Sequence, residues 1–216
     1  MTIRMMIALA VGCSSIGCAV DTEPSEPAPI RHDEPDREPA AILEDVEMAL
    51  LRPGDPHEAL AVARRDAKRA GPAYAVAARR HYEEAATSED PLRRWTVVTG
   101  IGHMRVPETR ALLQEIASEP LPAHAADAGH GDFAPAAYEQ MIRARAIEAL
   151  RDLAIEGDTR AASAIVEGLE YPDSFLRVTV VHALLDLWGD TVAARARLRG
   201  VLREEDHWML GRGGAE

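Results

Sequence analysis

Beyond residue 18 the chain contains no cysteine: its only two, Cys13 and Cys18, fall near the start of 216 residues. The remainder therefore has no thiol for nucleophilic catalysis, for a disulfide or for a thiolate metal site. Any metal would have to be held by the eight histidines and the carboxylates. Aromatic residues make up only 4% of the chain, and no uncharged apolar run reaches the roughly 18 to 20 residues that span a bilayer. Positive charge is scarce as well: 24 basic against 36 acidic side chains leave a formal charge of −12, which disfavours general binding to a nucleic-acid backbone. No glycine-rich phosphate loop follows a strand pattern, and no serine sits in a strand-to-helix elbow with a histidine partner. The chain is accordingly expected to be no enzyme and to need no cofactor.

What is present is helix-forming composition. Alanine, leucine, arginine and glutamate supply nearly half of the sequence, and 47% of it is hydrophobic, which suits one all-α domain of ordinary size.

The first residues carry one positive side chain, Arg4, then an apolar run from Met5 to Val11, then small residues, the three-part layout of a secretory signal. Ser15-Ile16-Gly17-Cys18 resembles the bacterial lipobox, a motif in which a small residue precedes a cysteine that receives lipid as the preceding peptide is removed. The resemblance implies lipidation of Cys18. Ala10-Val11-Gly12-Cys13 leaves Cys13 as the alternative, and an ordinary signal peptide cut near Ala19 is a third possibility. Residues 1–17 are thus expected to be a signal peptide and the mature chain to be exported, anchored to a bacterial membrane, with its domain in the periplasm or at the cell surface. From Asp21 to Pro39 five prolines stand among seven acidic and two basic residues. Such a composition cannot bury enough apolar surface to fold, so residues 18–39 are expected to be an extended tether.

After Pro39 the pattern is helical. Three segments beginning at Arg94, Arg143 and Arg177 share one layout, with apolar residues three, four and seven positions later: Val97, Val98, Ile101; Ala146, Ile147, Leu150; Val180, Val181, Leu184. Those offsets lie on one helix face. Each is followed by a second amphipathic helix carrying Leu112, Leu113 and Ile116; Ala162, Ile165, Val166 and Leu169; or Ala194, Leu198, Val201 and Leu202. The breaks between them contain Gly157-Asp158 and Gly189-Asp190, where either aspartate suits an N-cap. The arginines are 49 and 34 positions apart, so the middle junction carries an insertion of about fifteen residues, at about 118–136.

The segment from Tyr171-Pro-Asp to Gly189-Asp190 resembles the short bacterial HEAT-like repeat in its Pro-Asp turn, its hydrophobic-Arg pair, its Ala/Val-rich helix ending in Leu, and its Gly-Asp before a second helix. The stretch from Glu89-Asp90-Pro91 to Ala117 is a weaker copy. The resemblance covers about Ser88 to Glu205 and implies an α-solenoid of antiparallel helix hairpins. Helices expected over 40–51, 56–69 and 72–86 lack the repeat signature and form a divergent N-terminal cap. The repeat domain is expected to run from 40 to 210, with His207 to Leu210 folding back over the last hairpin and 211–216 a frayed tail.

Repeat arrays usually serve protein contact, so the expected function is a non-enzymatic, lipid-anchored envelope scaffold or protein-binding module. With the apolar positions turned inward, Arg110, Gln114, Arg160, Glu167, Arg195, Arg199 and Arg203 point outward along successive second helices. They form a candidate ridge for an acidic envelope partner. One alternative is a metal-dependent module or enzyme built on His124, Asp127, His130 and Asp132 in the insertion, and another is a purely structural envelope lipoprotein. His103, near a helix end, is expected to place a favourable charge against the dipole, and Trp95, Trp188 and Trp208 are expected to be core.

Overall fold

A computed structural model describes residues 37–88, 90–120 and 135–211. Cys13, Cys18, His124, Asp127, His130 and Asp132 lie outside the described residues, as do most of the tether and of the insertion. Every regular element among the described residues is helical.

The chain order is α1 (Pro39–Leu51), α2 (His57–Ala70), α3 (Pro72–Ala86), α4 (Pro91–Met104), α5 (Arg110–Ser118), α6 (Pro135–Ile155), α7 (Thr159–Glu167), α8 (Ser174–Trp188) and α9 (Val192–Arg199). Short 3-10 turns lead into α5 (Pro107–Thr109), extend α7 (Gly168–Glu170) and form the C-terminal segment (Glu204–Leu210). Side chains start the later helices. Asp90 accepts the Leu92 amide at 2.9 Å, Asp158 those of Arg160 and Ala161 at 2.9 and 3.0 Å, and Asp173 that of Phe175 at 2.8 Å. At α9 the cap is Thr191, accepting from the Ala194 amide at 3.1 Å. Asp190, the residue expected there, instead binds the Arg195 guanidinium.

Packing follows the apolar stripes. All nine first-helix positions named above are buried, as are Leu112, Leu113, Ile116, Ile165, Leu169, Ala194, Leu198 and Leu202. Val201 departs from the expected stripe and is exposed, because α9 ends at Arg199 and the chain turns before the periodicity reaches it. Ala162 and Val166 are half-buried at the edge of theirs. The first three helices pack against one another and, each of them, on α4; α6 in turn packs on α4, α5, α7 and α8, and the C-terminal segment on α8 and α9. One continuous core results.

The α4–α6 contact depends on a missing side chain. A Cβ on Gly102 would lie 2.8 Å from Ala149 Cβ, which cannot swing aside. Alanine normally favours a helix interior over glycine by about 1 kcal/mol. Here Gly102→Ala is expected to destabilise instead, because forcing the helices apart costs about 1 to 3 kcal/mol. Thermal melting decides the sign: a raised melting temperature would mean that the helices do not approach so closely.

Candidate functional site

The three arginines that anchor the repeat alignment are not available for chemistry. Arg94 donates to Glu139 at 2.6 Å and to the Tyr82 hydroxyl at 2.8 Å, with Glu119 at 3.4 Å. Arg143, 2% exposed, donates to the Pro120 carbonyl at 2.8 Å. Arg177 grips Asp206 through Nε and Nη2 at 3.0 and 2.8 Å, while Nη1 reaches the Tyr171 and Pro172 carbonyls at 2.8 and 2.9 Å. Each guanidinium ties its own first helix to the end of a preceding or following helix. Burial pushes the Tyr82 hydroxyl up to about 12, so this phenol stays protonated and donates to Glu119 at 3.1 Å. Its place within that network gives it a structural role.

Of the expected ridge, Arg160, Glu167 and Arg199 are exposed on the second helices, Arg110, Gln114 and Arg195 are half-buried, and Arg203 falls past the end of α9; much of the charge is matched locally. Arg110 meets Asp158 at 3.5 Å and Gln114 donates to Glu167 at 3.1 Å, so α5 and α7 are joined by the ridge residues themselves. Arg195 makes a two-pronged contact to Asp190 at 2.6 and 2.7 Å and donates to the Leu210 carbonyl. Arg203 is 3.5 Å from Glu170. Arg160 and Arg199 are exposed, with no salt bridge among the described residues. Because Arg195 also holds the carbonyl of Leu210, reversing its charge would loosen the C-terminal segment. It is therefore no neutral probe of binding.

A different surface is open on the first helices. Leu50 of α1, Trp95 and Thr99 of α4, Met141 and Ala144 of α6 and Phe175 of α8 line a groove of about 490 Å³, with His103, Arg145 and Glu148 at its polar side. Trp95 is half-buried, and Met141 and Phe175 stay 43% and 45% exposed, which a folding core would not leave uncovered. The Thr99 hydroxyl, in a residue only 5% exposed, has no hydrogen-bond partner. Sequence reasoning missed this groove because it looked for charge on the second helices, although a signal was present: Met141 and Phe175 each stand two positions before an aligned arginine.

The histidines and tryptophans correct several expectations. His103 is held below its ordinary value by burial and by the nearby guanidiniums of Arg145, Arg64 and Arg105, so the neutral imidazole is favoured rather than a cation at the helix end. Trp208 is 63% exposed rather than core, although its neighbours Met209 and Leu210 are buried against the last hairpin. Trp188 is half-buried, with the Arg197 guanidinium stacked 4.2 Å from its ring centroid.

His81 of α3 faces Glu47 of α1, Nε2 to Oε1 at 3.0 Å, a close though poorly aligned contact. Hydrogen bonding to that carboxylate raises His81, and its charge adds to this; burial and Arg93 oppose the shift, and Glu84 supports it. A folded value above the unfolded one of about 6.5 means that the pair stabilises the fold fully below that pH. The stabilisation is then lost as pH rises through the folded value. Thermal melting of the protein and of His81→Gln should differ most near pH 6 and converge in mildly alkaline solution. A difference independent of pH would show that the imidazolium is not what joins the two helices.

Among the described residues no group of three or more His, Cys, Asp or Glu side chains is placed to hold a metal ion, and no helix is long and apolar enough to cross a membrane. Fold and site together define an all-helical protein with an open apolar groove on one layer of its helices. No family model matches the chain, and no curated protein or solved structure matches it.

Proposed function

We propose that this chain is a non-enzymatic scaffold of the bacterial envelope, lipid-anchored through Cys18, whose helices form a HEAT-like solenoid that holds another envelope protein. The observation that carries this reading is the uncovered groove across α1, α4, α6 and α8, because large apolar side chains are costly to leave in water around one concavity unless something docks there. The solenoid form is supported by the serial packing of α4, α6 and α8, by the arginine at the same position in each, half-buried at Arg94 and buried at Arg143 and Arg177, and by the ridge contacts that join α5 to α7. Anchorage rests on the lipobox-like Gly17-Cys18 at the end of the apolar run. An acidic partner on the second helices remains a second reading, carried by the exposed Arg160 and Arg199.

Mass spectrometry of the membrane-associated protein should find lipid on an N-terminal Cys18, and cross-linking in the native membranes should couple it to one protein in fixed ratio. An unmodified N-terminus, or no stoichiometric partner, overturns the anchor or the scaffold respectively.

A further inference from the structure

The last helix carries charge of one sign only. From Thr191 to Arg203 there are four arginines and no carboxylate, in a chain whose formal charge is −12. Two of the four have acidic partners: Arg195 binds Asp190, and Arg203 lies 3.5 Å from Glu170 and 4.0 Å from Glu205. The other two, Arg197 and Arg199, are exposed and form no salt bridge among the described residues, and Arg197 lies over the Trp188 ring.

Apolar surface accompanies this charge. Burial of Ala194 and Leu198 turns Val192, Ala193, Ala196, Arg199 and Gly200 of α9 and its end toward solvent, along one helix face. His207 Nε2 stands 3.1 Å from the Arg199 carbonyl, which sets the C-terminal segment beside the end of that face. Val192, Val201 and Trp208 are 86%, 56% and 63% exposed.

The outside of a single helix is convex and gives a protein partner no cleft to fill. A lipid surface needs no matching shape: valines and an indole enter the boundary between headgroups and acyl chains, and guanidiniums bind phosphate oxygens. The two unpaired arginines select lipid of negative charge. Such a surface is within reach. The chain from Cys18 to Arg37 spans at most about 65 Å. Since α1 packs on α4, α4 on α6, α6 on α8 and α8 on α9, at about 8 to 10 Å a step, α9 lies within about 40 Å of α1.

We propose that the outer face of α9, with Val201 and Trp208, is a membrane-contact surface for anionic phospholipid. This rests on the anchor reading above, which supplies the membrane and holds it close enough for a weak contact to be occupied.

The test uses the full chain with Cys13→Ser, coupled through the Cys18 thiol to a maleimide lipid in vesicles with brominated acyl chains. That coupling provides the tether whether or not the native cysteine carries lipid. Quenching is compared with Trp208→Phe, in which Trp95 and Trp188 remain. Trp208 should be quenched on vesicles of phosphatidylglycerol and phosphatidylethanolamine and stay in water on phosphatidylcholine alone. Arg197→Gln with Arg199→Gln should lower the ratio of docked to free domain at least about tenfold. If that pair disturbs Trp188 and the melt, Arg199→Gln with Val201→Asp, both at exposed positions, should give the same loss. Unquenched Trp208 on the anionic vesicles, or equal quenching on the zwitterionic ones, overturns the proposal. Protection of Trp208 from acrylamide by soluble polyglutamate but not by vesicles also overturns it and assigns the face to an acidic protein. Mass spectrometry of the native Cys18 reads the anchor separately. An unmodified cysteine together with quenching on coupled vesicles removes the anchor and leaves the affinity for anionic lipid, whereas lipid on Cys18 without quenching removes the contact alone.

Discussion

Replacing Asp206 by alanine should destabilise the domain by about 3 to 5 kcal/mol, because it strands the Arg177 guanidinium in a site largely shielded from water. The side chains of Arg177 and Asp206 are 8% and 4% exposed, and their two-pronged contact is the main tie between α8 and the C-terminal segment. The two carbonyls that also accept from Arg177 cannot neutralise its charge. Removing both members, as Arg177→Met with Asp206→Leu, should recover much of the loss, since the desolvation cost of the charges disappears together with their attraction. Urea unfolding measures both variants. A loss below about 1 kcal/mol for Asp206→Ala would indicate a solvent-screened surface pair.

Leu150→Ala should cost about 2 to 5 kcal/mol. Leu150 is 1% exposed on α6, the helix that touches α4, α5, α7 and α8, so the cavity left behind is walled by several elements and cannot collapse by moving one of them. For a domain of this size the melting temperature should fall by roughly 5 to 15 °C. Leu184→Ala, on the equivalent face of α8 and fully buried, should behave alike. A loss below about 0.5 kcal/mol at both positions would contradict the packing faces, since such values belong to surface substitutions.

The candidate site was only partly legible. The position of Met141 and Phe175 two residues before each arginine is readable in the sequence, but their exposure is not. A large apolar residue just outside a helix stripe is as often buried by a neighbouring helix as left open. The ridge shows the converse limit. Arg110 and Arg195 are half-buried and Arg203 exposed, and their carboxylate partners lie far along the chain or in a turn, at Asp158, Asp190 and Glu170. Local spacing counts charges but does not pair them across helices, and pairing decides whether a basic row attracts an acidic partner.

Sequence alone determined the helical class, the boundaries of α1 to α3 to within a residue or so, the first-helix faces and the cap at Asp158. These depend on periodicity and on hydrogen bonds within a few residues, which the order of side chains dictates directly. Tertiary structure alone decided that Gly102 lets α4 and α6 touch, that Asp190 serves Arg195 while Thr191 caps α9, and that Trp208 stays in water. It also decided that burial, with three nearby guanidiniums, overrides the helix end at His103. The Gly102, Trp208 and His103 outcomes depend on distant parts of the chain, and burial and charge act through space rather than through sequence separation, whereas at Asp190 the competition is between two local partners, Arg195 and the start of α9.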